Sequence, residues 1–433
     1  MKRQQQIIGL ISAGLIFPVI CFVYSVKAQN VNQKNQAANY VLSQSAAERI
    51  VKKVLRSSPV IDGHNDLFVH FVGCQDCPKD LADYPIDVKT KGQTDIPRWR
   101  KGGVGGQLLS VDGASEEPKV EKYLEALDLL YRMQNAYPLD LEIVGTAKDT
   151  RRVMRAGKIA LIPSLEGAVI LGNNPALLRI YYRLGLRSVT FAYETNDLAD
   201  GSDDKPKHNG ISSFGKEIVK EMNRLGIMID MSHISAKAMH DILDVSQAPV
   251  IFSHSNARAI CEVNRNVPDD VLNRLKVNRG IIMLTFVPYF TTNEFSKWMK
   301  AGDDFYYDLK KKFPDDKAKV SAGIKKWETD NPAPVVTVSD IADHFDYVKK
   351  LIGVDYIGMA GDYDGIAFTI TGMEDVSSYP KLLIELARRG WTEKELKKIT
   401  GENFLRVFEE VEEKSLTLQK QYPPSLRKFS DKK

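Results

Sequence analysis

Eight short apolar runs rich in β-branched residues, separated by charged stretches of helical periodicity, constrain the fold of this chain more than any other feature. The runs are Val60–Gly63, Gly105–Val111, Ile159–Ser164, Ser188–Ala192, Ile227–Met231, Val250–Ser253, Ile281–Phe286 and Ile357–Gly361. Between them the spacing predicts helices over Lys119–Ala136, Pro175–Leu184, Phe214–Leu225, Ala236–Val245, Asp269–Val277 and Val338–Leu351. Strands that are apolar throughout, rather than on alternate residues, are buried on both faces, as in a parallel sheet covered by helices. Eight such units predict an α/β fold closed into a (β/α)8 TIM-like barrel, with an open doubly wound sheet as the runner-up. No Gly-rich phosphate loop follows the first run, so a nucleotide-binding domain has no local support. A short leader helix ending near Leu55 precedes the barrel. The charged stretch from Trp298 to Ala333 reads as an inserted helical segment, either a lid over one end of the barrel or a solvated excursion.

With 433 residues, 43% of them hydrophobic, the chain can bury a core of this size. Its first residues combine a basic head, an apolar run from Ile7 to Val23, and Val26 and Ala28 at the positions a signal peptidase reads. Cleavage is expected after Ala28. The alternative, an uncleaved anchor, suffers from a run shorter than the roughly 20 residues of a comfortable span and interrupted by Pro18. Removing Lys2, Arg3 and Lys27, with no acids lost, takes the net charge from +4 to +1, which argues against a nucleic-acid partner. In an exported chain Cys74 and Cys77 could close a short disulfide loop, leaving Cys261 buried or free. The expected organisation is a signal peptide over 1–28, a polar leader over 29–44, one barrel domain over 45–415 and a polar tail over 416–433.

The rare polar residues fall at one end of the expected strands. Three of the seven histidines, His64, His233 and His254, sit where strands end; Glu166 ends the strand in IALIPSLEGA and Asp362 the one in YIGMAGDYDG. In PVIDGHNDLF, residues two apart point to one side of a strand, so His64 and Asp66 project together. In a barrel all these ends line one mouth, the usual place for an active site. Three imidazoles with two or three carboxylates form a ligand set for zinc or a similar divalent ion, with a carboxylate able to bridge two. Two such ions activate water and polarise a carbonyl, which is hydrolase chemistry. His70, His208, His240 and His344 fall in loops or on helices and read as surface or packing residues; there is no HExxH helix.

The ordered segments VIDGHNDL, PSLEGA, DMSHIS, PVIFSHSNARAI, NRNVPDDVL and GDYDGI resemble the motifs of the membrane dipeptidase family, renal dipeptidase-like metallopeptidases of the amidohydrolase barrel superfamily. The resemblance implies two zinc ions per chain, one held by His64 and Asp66, the other by His233 and His254, with Glu166 bridging them. It also implies hydrolysis of dipeptides by a metal-bridging hydroxide, Asp362 passing a proton to the leaving amine and Arg265 gripping the substrate's free carboxylate. Asp364 and Arg258 are the neighbouring alternatives for these two roles. One position departs from the pattern. Where the family commonly has a histidine touching the scissile carbonyl, this chain has Tyr193, which can donate a hydrogen bond but carries no positive charge. Another metal-dependent amidohydrolase, an N-acyl amino acid deacylase or a lactonase, would keep the metals without needing Arg265. The expected partner is a dipeptide, in a protein exported to the periplasm or the exterior, with no stable membrane span after cleavage and a homodimer left open.

Overall fold

The structure, a computed structural model, describes residues 40–73, 77–111 and 120–427. The expected signal peptide, most of the polar leader, Cys74 and the last six residues lie outside them. Nine parallel strands form the sheet: β1 (Val60–Asp62), β2 (Val104–Ser110), β3 (Leu141–Ile143), β4 (Ile159–Glu166), β5 (Ser188–Thr190), β6 (Met228–Asp230), β7 (Ile251–Phe252), β8 (Ile281–Thr285) and β9 (Ile357–Ala360). Pairing of β2 with β4, in register from Gly106↔Ala160 to Ser110↔Ser164, closes eight of them into a barrel. The expected runs supply all eight. The ninth, β3, lies on the edge of β4 that β5 occupies farther along, pairing at Ile159 to Leu161 while β5 pairs at Ser164 to Glu166. Three residues, LEI, are too few to show a period in sequence.

The barrel strands are largely apolar because they are covered on both faces: all seven residues of β2 and all five of β8 are buried. Helices wrap the outside. In the leader helix Gln44–Ser57 the buried residues Ala47, Val51 and Val54 recur at helical spacing, and Ser43 caps the start by accepting from the Ala46 N–H. The last helix, Asn403–Gln421, covers the end of the barrel where the strands begin. There Asn403 Nδ2 donates to the Ile357 carbonyl at 2.8 Å, and Arg406 Nη1 to the Arg279 carbonyl at 2.6 Å. Its Phe404 and Phe408 join a core cluster with Ile61, Leu108, Ile162, Ile251 and Met283. With that end covered, the opposite end is the open one. The helix runs past Ser415, and Leu418 is buried within it. The inserted segment is a pair of helices, Asn293–Lys312 and Lys317–Asp330. Trp298 of the first packs on Trp327 of the second and edge-on against Phe368, beyond β9. Cys77 is disulfide-bonded and Cys261 is free and buried. Among the described residues no helix is long and apolar enough to cross a membrane.

Candidate functional site

Two buried aspartates at strand ends set the frame of the open mouth. Asp62, last in β1, accepts from the N–H of His64 at 3.3 Å and from that of Gly361, just past β9, at 2.7 Å. Asp230, last in β6, accepts from the N–H of Ser232 at 3.0 Å and from that of Ser253, just past β7, at 2.9 Å. Each carboxylate thus ties together the exits of two neighbouring strands. Space is short here: a Cβ on Gly63 would lie 2.2 Å from the Ser253 carbonyl oxygen, and one on Gly365 2.1 Å from Asp66 Oδ2. The backbone is also held in uncommon conformations, with positive φ at His233 (70°), Asp362 (56°) and Asp364 (68°). Such geometry costs about 1–3 kcal/mol per residue and collects where function demands it.

Asp230 reaches one step farther, through Ser253. Ser253 Oγ donates to Asp230 Oδ2 at 2.5 Å, so with its one proton engaged it accepts from His254 Nδ1–H at 2.7 Å. His254 is thereby fixed in the tautomer whose lone pair is on Nε2. That nitrogen lies 2.8 Å from His233 Nε2. Glu166 Oε1 lies 3.0 Å from His233 Nε2, 3.4 Å from His254 Nε2 and 3.6 Å from His64 Nε2, which is itself 3.2 Å from Asp66 Oδ2. His64 Nε2, Asp66 Oδ1 and His233 Nδ1 are buried without an aligned hydrogen-bond partner. Two triads, His64 with Asp66 and Glu166, and Glu166 with His233 and His254, each bring one ligand atom per residue within 4.8 Å of the others and could hold a metal ion. They share Glu166. A third grouping joins Asp362 to His64 and His254.

The electrostatics fit a cation. Burial opposes a charge on His64, but Asp66 and Glu166 beside it outweigh burial and hold its pKa well above the usual imidazole value. Burial drives His233 and His254 well below that value, with Arg265 and His64 adding to the effect. Asp362 is raised to about 6, chiefly by burial and with Asp66 pushing the same way, while His64 and Arg265 oppose. Convergent nitrogen lone pairs among carboxylates, with buried donor atoms unmatched, are the chemistry of a divalent metal site.

The remaining sequence candidates separate clearly. Asp364 turns away from the mouth: its Oδ1 accepts from the Gln93 N–H at 2.6 Å and pairs with His70 Nε2 at 2.9 Å, contacts that hold its carboxyl below the usual range although burial alone would raise it. Arg258 is occupied with the backbone carbonyls of Asn264 and Asn266. Arg265 is fully buried, donating to Ser255 Oγ at 2.5 Å and to the His254 carbonyl at 2.7 Å, with the Phe290 ring 5.2 Å away. Its Nε has no partner, and among the described residues its hydrogen bonds go to no carboxylate. Tyr193, half-buried, stacks on His233 with ring centroids 4.5 Å apart; burial first, then Glu166, Asp66 and Asp362, keep its hydroxyl protonated. The sequence reading missed Asp62, Asp230 and Ser253. The available signal was an acid closing an apolar run just before a histidine, in VIDGH and MIDMSH.

Residues 48–422 match the family described as membrane dipeptidase, peptidase family M19. Dipeptidase 3 of Rattus norvegicus is 37% identical over 375 residues, covering 84% of this chain and 68% of its own. Dipeptidase tcpJ of Claviceps purpurea (strain 20.1) is 35% identical over 371 residues, 81% of this chain and 77% of its own. Among solved structures, the probable dipeptidase PvdM from Pseudomonas aeruginosa superposes with a TM-score of 0.73 at 24% identity, covering 86% of this chain and 99% of that one. A metallo peptidase from Rhodobacter sphaeroides, liganded with a phosphinate mimic of L-Ala-D-Ala, gives 0.66 at 23% identity over 82% and 99%. These two likenesses concern the fold; the family match and the identity over most of the chain decide its kinship. On that ground the chain belongs to the membrane dipeptidase family of metallopeptidases.

Proposed function

We propose that the mouth of the barrel holds two zinc ions, one on His64 and Asp66, the other on His233 and His254, with Glu166 shared between them, and that it hydrolyses dipeptides. The observation that carries this reading is the pair of potential ligand triads meeting at one carboxylate. Divalent ions bound there would polarise the scissile carbonyl and make a water nucleophilic near neutral pH. The chain's own groups do the rest. Asp362, grouped with His64 and His254, takes the proton released from water and returns it to the departing nitrogen. Arg265, a buried guanidinium that forms no ion pair among the described residues, pairs with the free carboxylate of the substrate. Tyr193, stacked on His233, donates to the oxygen that gathers charge. Export of the enzyme rests on residues 1–28 alone, and the N-terminal sequence of the mature protein, expected to begin at Gln29, tests it.

Turnover of dipeptides, N-acyl amino acids and lactones by the zinc-loaded protein decides the substrate class. Dipeptides should be hydrolysed fastest; a preference for N-acyl amino acids or lactones would transfer the site to a different amidohydrolase activity. The same assay measures the contribution of Tyr193. Replacing Tyr193 by Phe removes one donor and leaves the ring stacked, so kcat should fall by roughly 10²-fold, the lower end of what such donors contribute. An unchanged kcat would reduce the phenol to a wall of the pocket.

A further inference from the structure

His344 lies in the helix Val338–Ile352, is fully buried, and touches none of the groups assigned to the reaction. Its two ring nitrogens nonetheless join the two loops that follow β7 and β8, the second of them wound into the short helix Pro288–Thr291. Nε2 lies 2.9 Å from the Thr291 carbonyl oxygen, and Nδ1 lies 3.2 Å from the Ala257 backbone nitrogen. A carbonyl can only accept and a backbone N–H can only donate, so the ring is neutral, with its proton on Nε2. Burial agrees with this, lowering its pKa to about 4.

Both loops build the surroundings of Arg265. Ala257 opens a lobe that closes on itself: the Arg258 N–H donates to the Val267 carbonyl at 2.9 Å, and the Val267 N–H to the Asn256 carbonyl at 2.8 Å. Arg265 sits just before that closure, and its Nη1 donates to Ser255, two residues before Ala257. Thr291 follows Phe290, whose ring faces the guanidinium. The Phe290 carbonyl accepts from Asn256 Nδ2 at 3.3 Å and from Asn266 Nδ2 at 2.9 Å. Asn256 and Asn266 therefore sew the lobe to the second loop close to Arg265, and His344 fastens the same two pieces from the helix behind. An apolar side chain of similar size would fill the space but leave the Ala257 N–H and the Thr291 carbonyl without this link.

We propose that His344 is a positioning residue for substrate recognition: by bridging Ala257 and Thr291 it holds the two walls that aim Arg265 at the carboxylate of a dipeptide. The inference rests on the reading of Arg265 given above. It requires that losing His344 weaken recognition of the free carboxylate while sparing the metal ligands and the chemical step.

The test compares kcat and KM for a dipeptide and for its C-terminal amide in the wild type, His344→Leu and His344→Gln, with bound metal and the unfolding temperature measured on each. In His344→Leu, KM for the dipeptide should rise roughly tenfold with kcat within about threefold, bound metal should be unchanged, and the preference over the amide should shrink. His344→Gln, whose amide offers both a donor and an acceptor, should recover most of the preference. Should the leucine variant not fold, His344→Asn, polar but too short to reach both loops, is held to the same criteria. A substituted enzyme that keeps the wild-type KM and preference overturns the inference, as does one whose kcat and metal content fall in step with KM. A wild type indifferent to amidation overturns the reading of Arg265 and this inference with it; a discriminating wild type beside an equally discriminating variant overturns this inference alone.

Discussion

Chelation should abolish dipeptide hydrolysis by this protein, and zinc returned to the stripped enzyme should restore it. A general base in the proposed position of Asp362 would contribute about 10²–10⁴-fold. Enzymes accelerate their reactions by at least about 10⁶-fold. Such a base alone falls short of this, and metal ions at the mouth would supply the activated water and the polarised carbonyl that it cannot. Glu166 gives the sharper version of the same experiment. Glu166→Gln keeps the size of the side chain but removes its charge and half of its capacity to bridge, at the one residue common to both triads. Bound zinc per chain and kcat/KM should fall together, and the variant should lose most of the rise in unfolding temperature that zinc gives the wild type, since a ligand bound only to the folded state stabilises it. A strand-end glutamate with no part in binding metal would leave elemental analysis unchanged. Full turnover by a thoroughly metal-free sample would sink the mechanism.

What could be read ahead of the structure follows from where the information lies along the chain. Parallel strands buried on both faces are continuous apolar words, so eight of nine were legible, and a histidine or acid placed just after such a word stands out against it. That made His64, Asp66, Glu166, His233, His254 and Asp362 visible as residues of one mouth. Choosing between Asp362 and Asp364 was harder, because an alternation of faces cannot be extrapolated through a backbone with positive φ at both positions. The partners that decide it, Gln93 and His70, are remote in sequence. Asp62 and Asp230 escaped notice for a related reason. Each takes a backbone N–H on the exit of a neighbouring strand, Gly361 for Asp62 and Ser253 for Asp230, and a backbone donor leaves no trace in residue type. His344 is the extreme case: its contacts are main-chain atoms 87 and 53 residues away, so a lone histidine on an amphipathic helix looked like packing.

Arg265→Met should erase the preference for a free C-terminal carboxylate while leaving the zinc content of the wild type unchanged. The wild-type guanidinium is fully buried, and its hydrogen bonds go to a hydroxyl and a carbonyl, neither of which neutralises it. A dipeptide carboxylate would complete it. An amidated dipeptide or a tripeptide instead places a neutral amide opposite the charge, and leaving a buried charge unpaired in an interface typically costs about 2–5 kcal/mol. At roughly 1.4 kcal/mol per tenfold, kcat/KM should therefore drop by about 30- to 4,000-fold on amidation of the wild-type substrate. In Arg265→Met the charge is gone, so dipeptide and amide should be hydrolysed at comparable, low rates. Because Arg265 also donates to the His254 carbonyl, zinc content must be measured alongside the kinetics. Retained zinc with a lost preference assigns the arginine to recognition, whereas lost zinc would make it a support for His254. Equal rates on dipeptide and amide in the wild type would rule out carboxylate recognition and shift the reading toward a hydrolase that acts on amides without regard to a neighbouring charge.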